Sequence, residues 1–295
     1  MKLILIGGPT ASGKSALALD LARALKGQIL NADSMQVYKG LPILSAQPSA
    51  EEKAEVPHKL YGFLDMDQSF SVAKWLDLAV SEIQNFEGPS IVVGGTGLYL
   101  KALLEGISSI PEIPASLRES LRHRETKDLY AQLEVQDPLM AARLKPGDTQ
   151  RIIRALEVKQ YTGKSLAKWQ EEVTESPLKN LTPFMIKILP PREELYESIN
   201  QRVGRMIQEG ALEEVRVIHD KNLNSLKTLG YAELNSYLEG EGSLEEATDK
   251  MQQKTRNYAK RQTTWFRHQM EADMGIEKIY RSGDALWKKI IHFKG

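Results

Sequence analysis

The sequence predicts an α/β fold, a parallel β-sheet flanked by helices with an all-helical domain inserted into it. Three observations predict it. Short apolar runs alternate with helix-length patterns through the first third of the chain, the order of parallel strands joined by crossover helices. The middle of the chain then carries helical patterns alone. A strand-like run follows, so the sheet resumes after the interruption.

Lys2–Ile6 is an apolar run bounded by glycine and reads as a buried strand. It has the length of a signal-peptide core, but it runs straight into a glycine loop. Ser15–Leu25 is rich in Ala and Leu and reads as a helix. Gln28–Leu30 reads as a second strand, followed by the loop Asn31–Tyr38. Val72–Phe86 has helical spacing, and Ser90–Val93 is another strand closed by Gly94-Gly95-Thr96-Gly97. The texture changes at Ile110-Pro111-Glu112-Ile113-Pro114. From there to Pro183 the segments Ala115–Arg124, Asp128–Glu134, Pro138–Leu144, Thr149–Tyr161 and Ser165–Glu172 all read as helices. Phe184–Leu189 returns to the sheet, and Glu193–Asp220 and Leu244–Met270 are long helical regions. The expected organisation is a core of residues 1–112 and 184–295 with a helical insertion at 113–183.

Composition narrows the function classes. The chain has 295 residues, 41% hydrophobic and 26% charged, ordinary for a soluble globular protein. No stretch approaches the ~18 consecutive apolar residues of a membrane helix. There is no cysteine, which excludes disulfides, thiolate metal sites and cysteine nucleophiles and fits a cytoplasmic protein. The formal net charge is zero, so a surface for nucleic acid has to be local. The five histidines lack metal-ligand spacing, and nothing in the sequence calls for an obligate protein partner.

Gly8-Pro9-Thr10-Ala11-Ser12-Gly13-Lys14-Ser15 fits G-x-x-x-x-G-K-[ST] between a predicted strand and a predicted helix. In that context glycines let successive N–H groups turn inward, and the helix N-terminus adds partial positive charge. Lys14 supplies a cation, and the Ser15 hydroxyl can bind Mg²⁺. These features predict a P-loop NTPase-like sheet that holds a chain of phosphates. By itself the loop favours phosphoryl transfer as a reaction class, and the bland alternative is a chance glycine-rich turn.

Other segments are more specific. Asn31-Ala32-Asp33-Ser34-Met35-Gln36-Val37-Tyr38-Lys39-Gly40 closely resembles the second signature of the tRNA dimethylallyltransferase family. Further matches follow in order: Val56-Pro57-His58, Val93–Tyr99, Gln150–Val158, Leu229-Gly230-Tyr231, Thr255–Gln262 and Thr264–Arg267. They span residues 3 to 267. Many relatives carry D-I-G-T-A-K-P where this chain has Pro42-Ile43-Leu44-Ser45-Ala46-Gln47-Pro48, so no binding role is carried over to that loop. The zinc finger of some eukaryotic relatives is absent.

The resemblance implies transfer of a prenyl group from dimethylallyl diphosphate to N6 of adenosine 37, beside the anticodon, in tRNAs reading codons that begin with U. Adenine N6 is a weak nucleophile because its lone pair is delocalised, so the reaction needs a base and a stabilised leaving group. Asp33 is the base candidate, just past a predicted strand end where open α/β sheets bind ligands. An Asx-turn or helix cap is its structural alternative. The diphosphate is expected in the Gly8–Ser15 loop with Mg²⁺ at Ser15, Thr10 adding a hydroxyl. Arg202 matches the family position for an arginine closing over the diphosphate; Arg205 is the weaker candidate, and for either the alternative is a solvated helix face.

The resemblance also implies tRNA contacts at Asp33, Ser34, Met35, Gln36, Thr96 and Arg118, and along Gln150, Arg151, Ile152, Ile153 and Arg154. For the glycines around Thr96 the alternative is a tight turn. Arg151 and Arg154 share a helix face. In the last long helix Met251, Tyr258 and Trp265 recur every seven residues as an apolar stripe, with Arg256, Lys260 and Arg267 nearly opposite. A basic stripe suits phosphates, although an ordinary amphipathic helix has the same pattern. The target base is expected to turn out of the anticodon stem-loop into a channel between core and insertion. Rival readings are an adenylate prenyltransferase, a P-loop small-molecule kinase, and an RNA-binding protein with an inactive site.

Overall fold

The computed structural model describes residues 2–172, 175–219 and 228–292. It separates into two compact units, Met1–Leu104 with Leu178–Gly295, and Glu105–Pro177. The first unit opens with β1 (Leu3–Gly7), α1 (Lys14–Leu25), β2 (Gln28–Asn31), α2 (Pro42–Ser45), α3 (Ala50–Glu55), β3 (His58–Lys59), α4 (Val72–Gln84), β4 (Ser90–Gly94) and α5 (Gly97–Glu105). The helical unit holds α6 (Ala115–Arg122), α7 (Thr126–Gln136), α8 (Pro138–Ala141), α9 (Thr149–Thr162) and α10 (Leu166–Glu171). The first unit then resumes with β5 (Phe184–Ile188), α11 (Arg192–Gln208), α12 (Ala211–His219), α13 (Tyr231–Leu238), α14 (Leu244–Gln269), β6 (Met274–Ile276) and α15 (Leu286–His292).

Among the described residues the sheet has six parallel strands in the order β3-β2-β4-β1-β5-β6. β1, β2 and β4 are buried at every position, as parallel strands covered on both faces must be. The register pairs Ile4 with Ile91 and Ile6 with Val93, and Ile91 with Ile29. These alternate residues form one face, which packs on Leu17, Ala18 and Leu21 of α1 and Ile290 of α15. On α4, Trp75 is fully buried, donates its indole N–H to Asn31 O at 2.8 Å, and stacks on Tyr99 of α5 with ring centroids 4.5 Å apart. α14 closes against the end of β1, where a Cβ on Gly7 would come within 2.3 Å of Phe266. The helical unit packs around Leu129, Leu133, Ile152, Leu156 and Ala167. Ser108, Ile110 and Ile113 belong to it, through a Ser108 hydroxyl bond to Trp169 O and apolar packing.

Two expectations are corrected. Glu193–Asp220 is not one helix: Gly210, at φ 105°, breaks it into α11 and α12. Asp220 itself lies outside the described residues. The buried stripe of α14 runs through Ala247, Met251, Thr255, Ala259, Gln262 and Phe266, with Tyr258 and Trp265 at its margin. A strict seven-residue step drifts around a 3.6-residue helix, whereas steps of four and three stay on one side.

Candidate active site

The glycine loop links the end of β1 to the start of α1. Gly13 is the N-cap of α1 with φ 89°, and a Cβ there would lie 2.1 Å from Tyr280 O. Only glycine meets both demands. The segment that presses on it is fastened by Tyr280 N–H donating to Ser12 O at 3.1 Å and by the Tyr280 hydroxyl donating to Asp20 Oδ2 at 2.7 Å. Lys14 Nζ donates to Pro9 O at 2.6 Å. Burial pushes Lys14 down to about 7, with the Asp33 charge pulling it up and Arg202 pushing it down. Ser12 is fully buried, and its hydroxyl has no hydrogen-bond partner among the described residues. Ser15 is exposed and lines a cleft of about 750 Å³ with Gly13, Gln201, Arg202 and Arg205.

The loop after β2 is built on Asn31. Its side chain accepts from Asp33 N–H at 2.7 Å and donates to Asp33 O at 2.9 Å and to Leu60 O at 3.0 Å. Asp33 Oδ1 accepts from Met35 N–H at 3.0 Å, so the Asx-turn is real. It uses one oxygen. The other, Oδ2, faces Gly95, where a Cβ would stand 3.2 Å from it. Thr96 Oγ1 accepts from Ser34 N–H at 2.9 Å and donates to Ser34 Oγ at 3.2 Å, joining the loops after β2 and β4. The Gln36 amide donates to Ser45 O and Ala46 O, and so supports the divergent 42–48 segment.

Two helices complete the site. Gln262 of α14 is buried; its Oε1 accepts from Thr10 N–H at 2.8 Å and its Nε2 donates to Gly95 O at 2.9 Å. One side chain thus joins the glycine loop to the loop beside Asp33. From α11, Ser198 donates to Ala11 O at 3.0 Å and Arg202 Nη1 to Thr10 Oγ1 at 3.4 Å. Burial lowers the Arg202 guanidinium's pKa, and the Asp33 charge opposes that. The phenols of Tyr61, Tyr99 and Tyr258 are raised by burial first and by Asp33 as well, so they stay protonated. Beside Thr10, Asp33 and Arg202 opens a small pocket of about 60 Å³ walled by Leu44, Ile199, Val203, Met206, Met251 and Tyr258. Sequence reasoning missed both Gln262 and this pocket. The signal for Gln262 was a polar residue on the buried side of a helix.

The structure therefore brings Gly8–Ser15, Asp33–Gln36, Thr96 and Arg202 into one neighbourhood of the first unit. Arg256, also there, donates to Asn200 Oδ1 at 2.6 Å, and Lys260 is exposed. The other candidates lie in the helical unit. Glu157 is fully buried and receives a two-pronged bond from Arg118 at 2.8 and 2.9 Å and a third from Arg154 at 2.5 Å. Burial acts to raise the Glu157 pKa, but the hydrogen bonds from Arg118 and Arg154 outweigh it and hold the carboxyl below its ordinary value. Gln150 and Arg151 are exposed, Arg151 pairing with Asp148 at 3.2 Å. Ile152 is corrected: its side chain is fully buried in the unit's core and cannot meet RNA. Ile153 is half-buried against the same core.

Among the described residues no cluster of three or more His, Asp or Glu side chains could hold a metal ion, and no helix is long and apolar enough to cross a membrane.

The IPP transferase family model matches residues 36–269, and an isopentenyl transferase model matches residues 1–67. The chain belongs to the IPP transferase family. Within it, the tRNA dimethylallyltransferase of Rhodospirillum centenum is 49% identical over 281 residues, 92% of this chain and 90% of that one. That of Pelagibacter ubique is 41% identical over 295 residues, 96% of this chain and 93% of that one. A tRNA isopentenylpyrophosphate transferase from Bacillus halodurans has a similar crystal structure, with TM-score 0.69, 34% identity, and coverage of 99% of this chain and 95% of that one. A eukaryotic dimethylallyltransferase acting on tRNA aligns with TM-score 0.75 and 27% identity, over 90% of this chain and 69% of that one.

Proposed function

We propose that the protein transfers a dimethylallyl group from dimethylallyl diphosphate to N6 of adenosine 37 in tRNA, releasing diphosphate. One juxtaposition carries this reading: a phosphate-type loop and a small apolar pocket share Thr10 and Arg202 at their junction, with Asp33 beside them.

In the reaction the N6 lone pair bonds to C1 of the dimethylallyl group while the C1–O bond breaks and its electron pair leaves with diphosphate. Asp33 Oδ2, the oxygen left over from the Asx-turn, takes the N6 proton. The loop N–H groups and Lys14 bind the diphosphate, and Arg202 with the Thr10 hydroxyl steadies the bridging oxygen as charge grows there. The donor set suits a cation that keeps most of its shell in water and phosphate oxygens, since Ser15 offers one exposed hydroxyl and, among the described residues, no group of three or more His, Asp or Glu could hold a metal ion. Mg²⁺ held there would neutralise the leaving group's charge. Ser34, Met35, Gln36 and Thr96 in the first unit, with Gln150, Arg151, Arg118 and Arg154 in the helical unit, receive the anticodon stem-loop, as do Arg256 and Lys260. The setting is the cytoplasm, where unmodified tRNA is made.

The test is mass spectrometry of nucleosides from unmodified tRNA incubated with the protein, Mg²⁺ and dimethylallyl diphosphate. N6-dimethylallyl-adenosine should form, and Asp33→Ala should reduce it strongly. Product with AMP but not with tRNA would replace the reading with an adenylate prenyltransferase, and phosphoryl transfer from ATP without prenyl transfer would replace it with a kinase.

A further inference from the structure

We infer that Arg205 binds the outer phosphate of the prenyl donor, in place of the lysine that many relatives carry at position 47. The inference rests on the reading above and concerns the cleft beside the glycine loop.

One face of α11 fronts that cleft. Ser198 and Arg202 bond to Ala11 O and Thr10 Oγ1, so this face meets the glycine loop directly. Arg205 follows Arg202 by three residues, on the same face and roughly 4.5 Å further along the axis. It lines the cleft of about 750 Å³ together with Gly13, Ser15 and Arg202. Arg205 is exposed, and among the described residues its guanidinium makes no hydrogen bond and no ion pair. Arg202, by contrast, is already bonded to Thr10. Glu194 and Glu197 line the cleft at the other end of the same helix face, so a phosphate is drawn to the arginine end.

Ala46, Gln47 and Pro48 of the divergent segment line the same cleft. The segment lies by the C-terminal end of α11. A Cβ on Gly210 would stand 3.8 Å from Ile43 Cδ1, and the Glu214 carboxylate of α12 accepts from Ile43 N–H at 2.7 Å and from Leu44 N–H at 3.0 Å. Of the two arginines, Arg205 is the one nearer that end of the helix. In the pattern D-I-G-T-A-K-P the lysine falls at position 47, which is glutamine here. Gln47 spends its amide on its own loop, donating to Tyr38 O at 2.8 Å and to Ser45 Oγ at 3.2 Å. A neutral amide tied in this way offers no charge to a phosphate. An arginine does, and its planar fork can meet two phosphate oxygens at once. The cleft therefore lacks a cation on one wall and holds an uncommitted one on another.

The experiment titrates inorganic diphosphate with Mg²⁺ into the wild-type chain, Arg205→Gln, Arg205→Lys, and Arg205→Gln combined with Gln47→Lys, in a calorimeter. Binding of tRNA and the KM for dimethylallyl diphosphate are measured beside it. Arg205→Gln should weaken diphosphate binding about tenfold, between the effect of an exposed ion pair and that of a hydrogen bond to a charged group. The KM for dimethylallyl diphosphate should rise by the same factor, and tRNA binding should not change. Arg205→Lys should keep most of the affinity, since the charge remains without the fork. Adding Gln47→Lys to Arg205→Gln should restore affinity by returning a cation to the other wall. Unchanged diphosphate affinity in Arg205→Gln, a loss of tRNA binding in its stead, or no recovery in the double variant overturns the inference. A wild-type chain that binds diphosphate through Arg205 but transfers no dimethylallyl group to tRNA overturns the reading above and leaves Arg205 as a diphosphate ligand.

Discussion

Replacing Gln262 by methionine keeps the length of the side chain and removes both of its hydrogen bonds. Thr10 N–H then loses its acceptor at 2.8 Å and Gly95 O its donor at 2.9 Å. Leaving a buried group unpaired costs about 1–3 kcal/mol. Gly95 is buried and Thr10 half-buried, so the pair should cost about 2–4 kcal/mol. A urea titration reads that cost as a lower unfolding midpoint with an unchanged slope. The same bridge fixes Thr10, and through it Arg202, relative to Asp33. Turnover should therefore fall at least tenfold in kcat while KM for tRNA stays within about twofold, since in the proposed reaction the groups that move serve the leaving diphosphate. Gln262→Glu keeps an acceptor for Thr10 N–H but turns a carboxylate toward Gly95 O, and should show an intermediate loss. A Met variant with wild-type kcat and a stability loss below ~0.5 kcal/mol would refute the claim that this amide holds the two loops together.

Asp33→Asn retains an acceptor for Met35 N–H and removes the proposed base, so kcat should drop about 10²–10⁴-fold; undiminished kcat would exclude Asp33 as the base. Because burial lowers the Lys14 pKa to about 7, the free amine is largely neutral at about pH 8, and bound diphosphate should raise its pKa again. Calorimetric titration with diphosphate in buffers of different ionisation enthalpy should show proton uptake at that pH, fading as pH falls below 7, and Lys14→Met should abolish it. Glu157→Gln should cost about 2–3 kcal/mol, the low end for a broken buried pair because Arg118 and Arg154 are 41% and 40% exposed. The depressed Glu157 pKa adds stability that is present above the ordinary value of 4.5 and lost as pH falls through the folded-state value, so acid unfolding of wild type and variant should converge there.

What the sequence made legible was local. The β1–glycine loop–α1 unit follows from contiguous residues whose pattern, turn chemistry and helix start agree. Asp33 emerged from its neighbouring motif, and the structure adds that one oxygen makes the turn while the other stays available. β3 and β6, with two and three residues, are too short to show periodicity. The Gln262 bridge reaches across 252 residues to Thr10, a distance no local pattern encodes. The apolar pocket draws Met35, Leu44, Ile199 and Met251 from four separate segments, each of which reads alone as ordinary core. Gln36 shows the reverse case: its place in a recognisable motif concealed that its amide supports the neighbouring divergent segment.

The backbone at Tyr280 seals the back of the phosphate loop, against Ser12 and Gly13. A loop encoded by residues 8–15 is thus finished by a segment translated almost the whole chain later. At roughly 5–20 residues per second, the gap between Gly13 and Tyr280 takes a ribosome on the order of 15–50 seconds to cross. During that interval the nascent chain carries its phosphate loop without its wall, and β1 still waits for its neighbours β4 and β5. The wall behind Ser12 and Gly13 is therefore completed only once Tyr280 has been made.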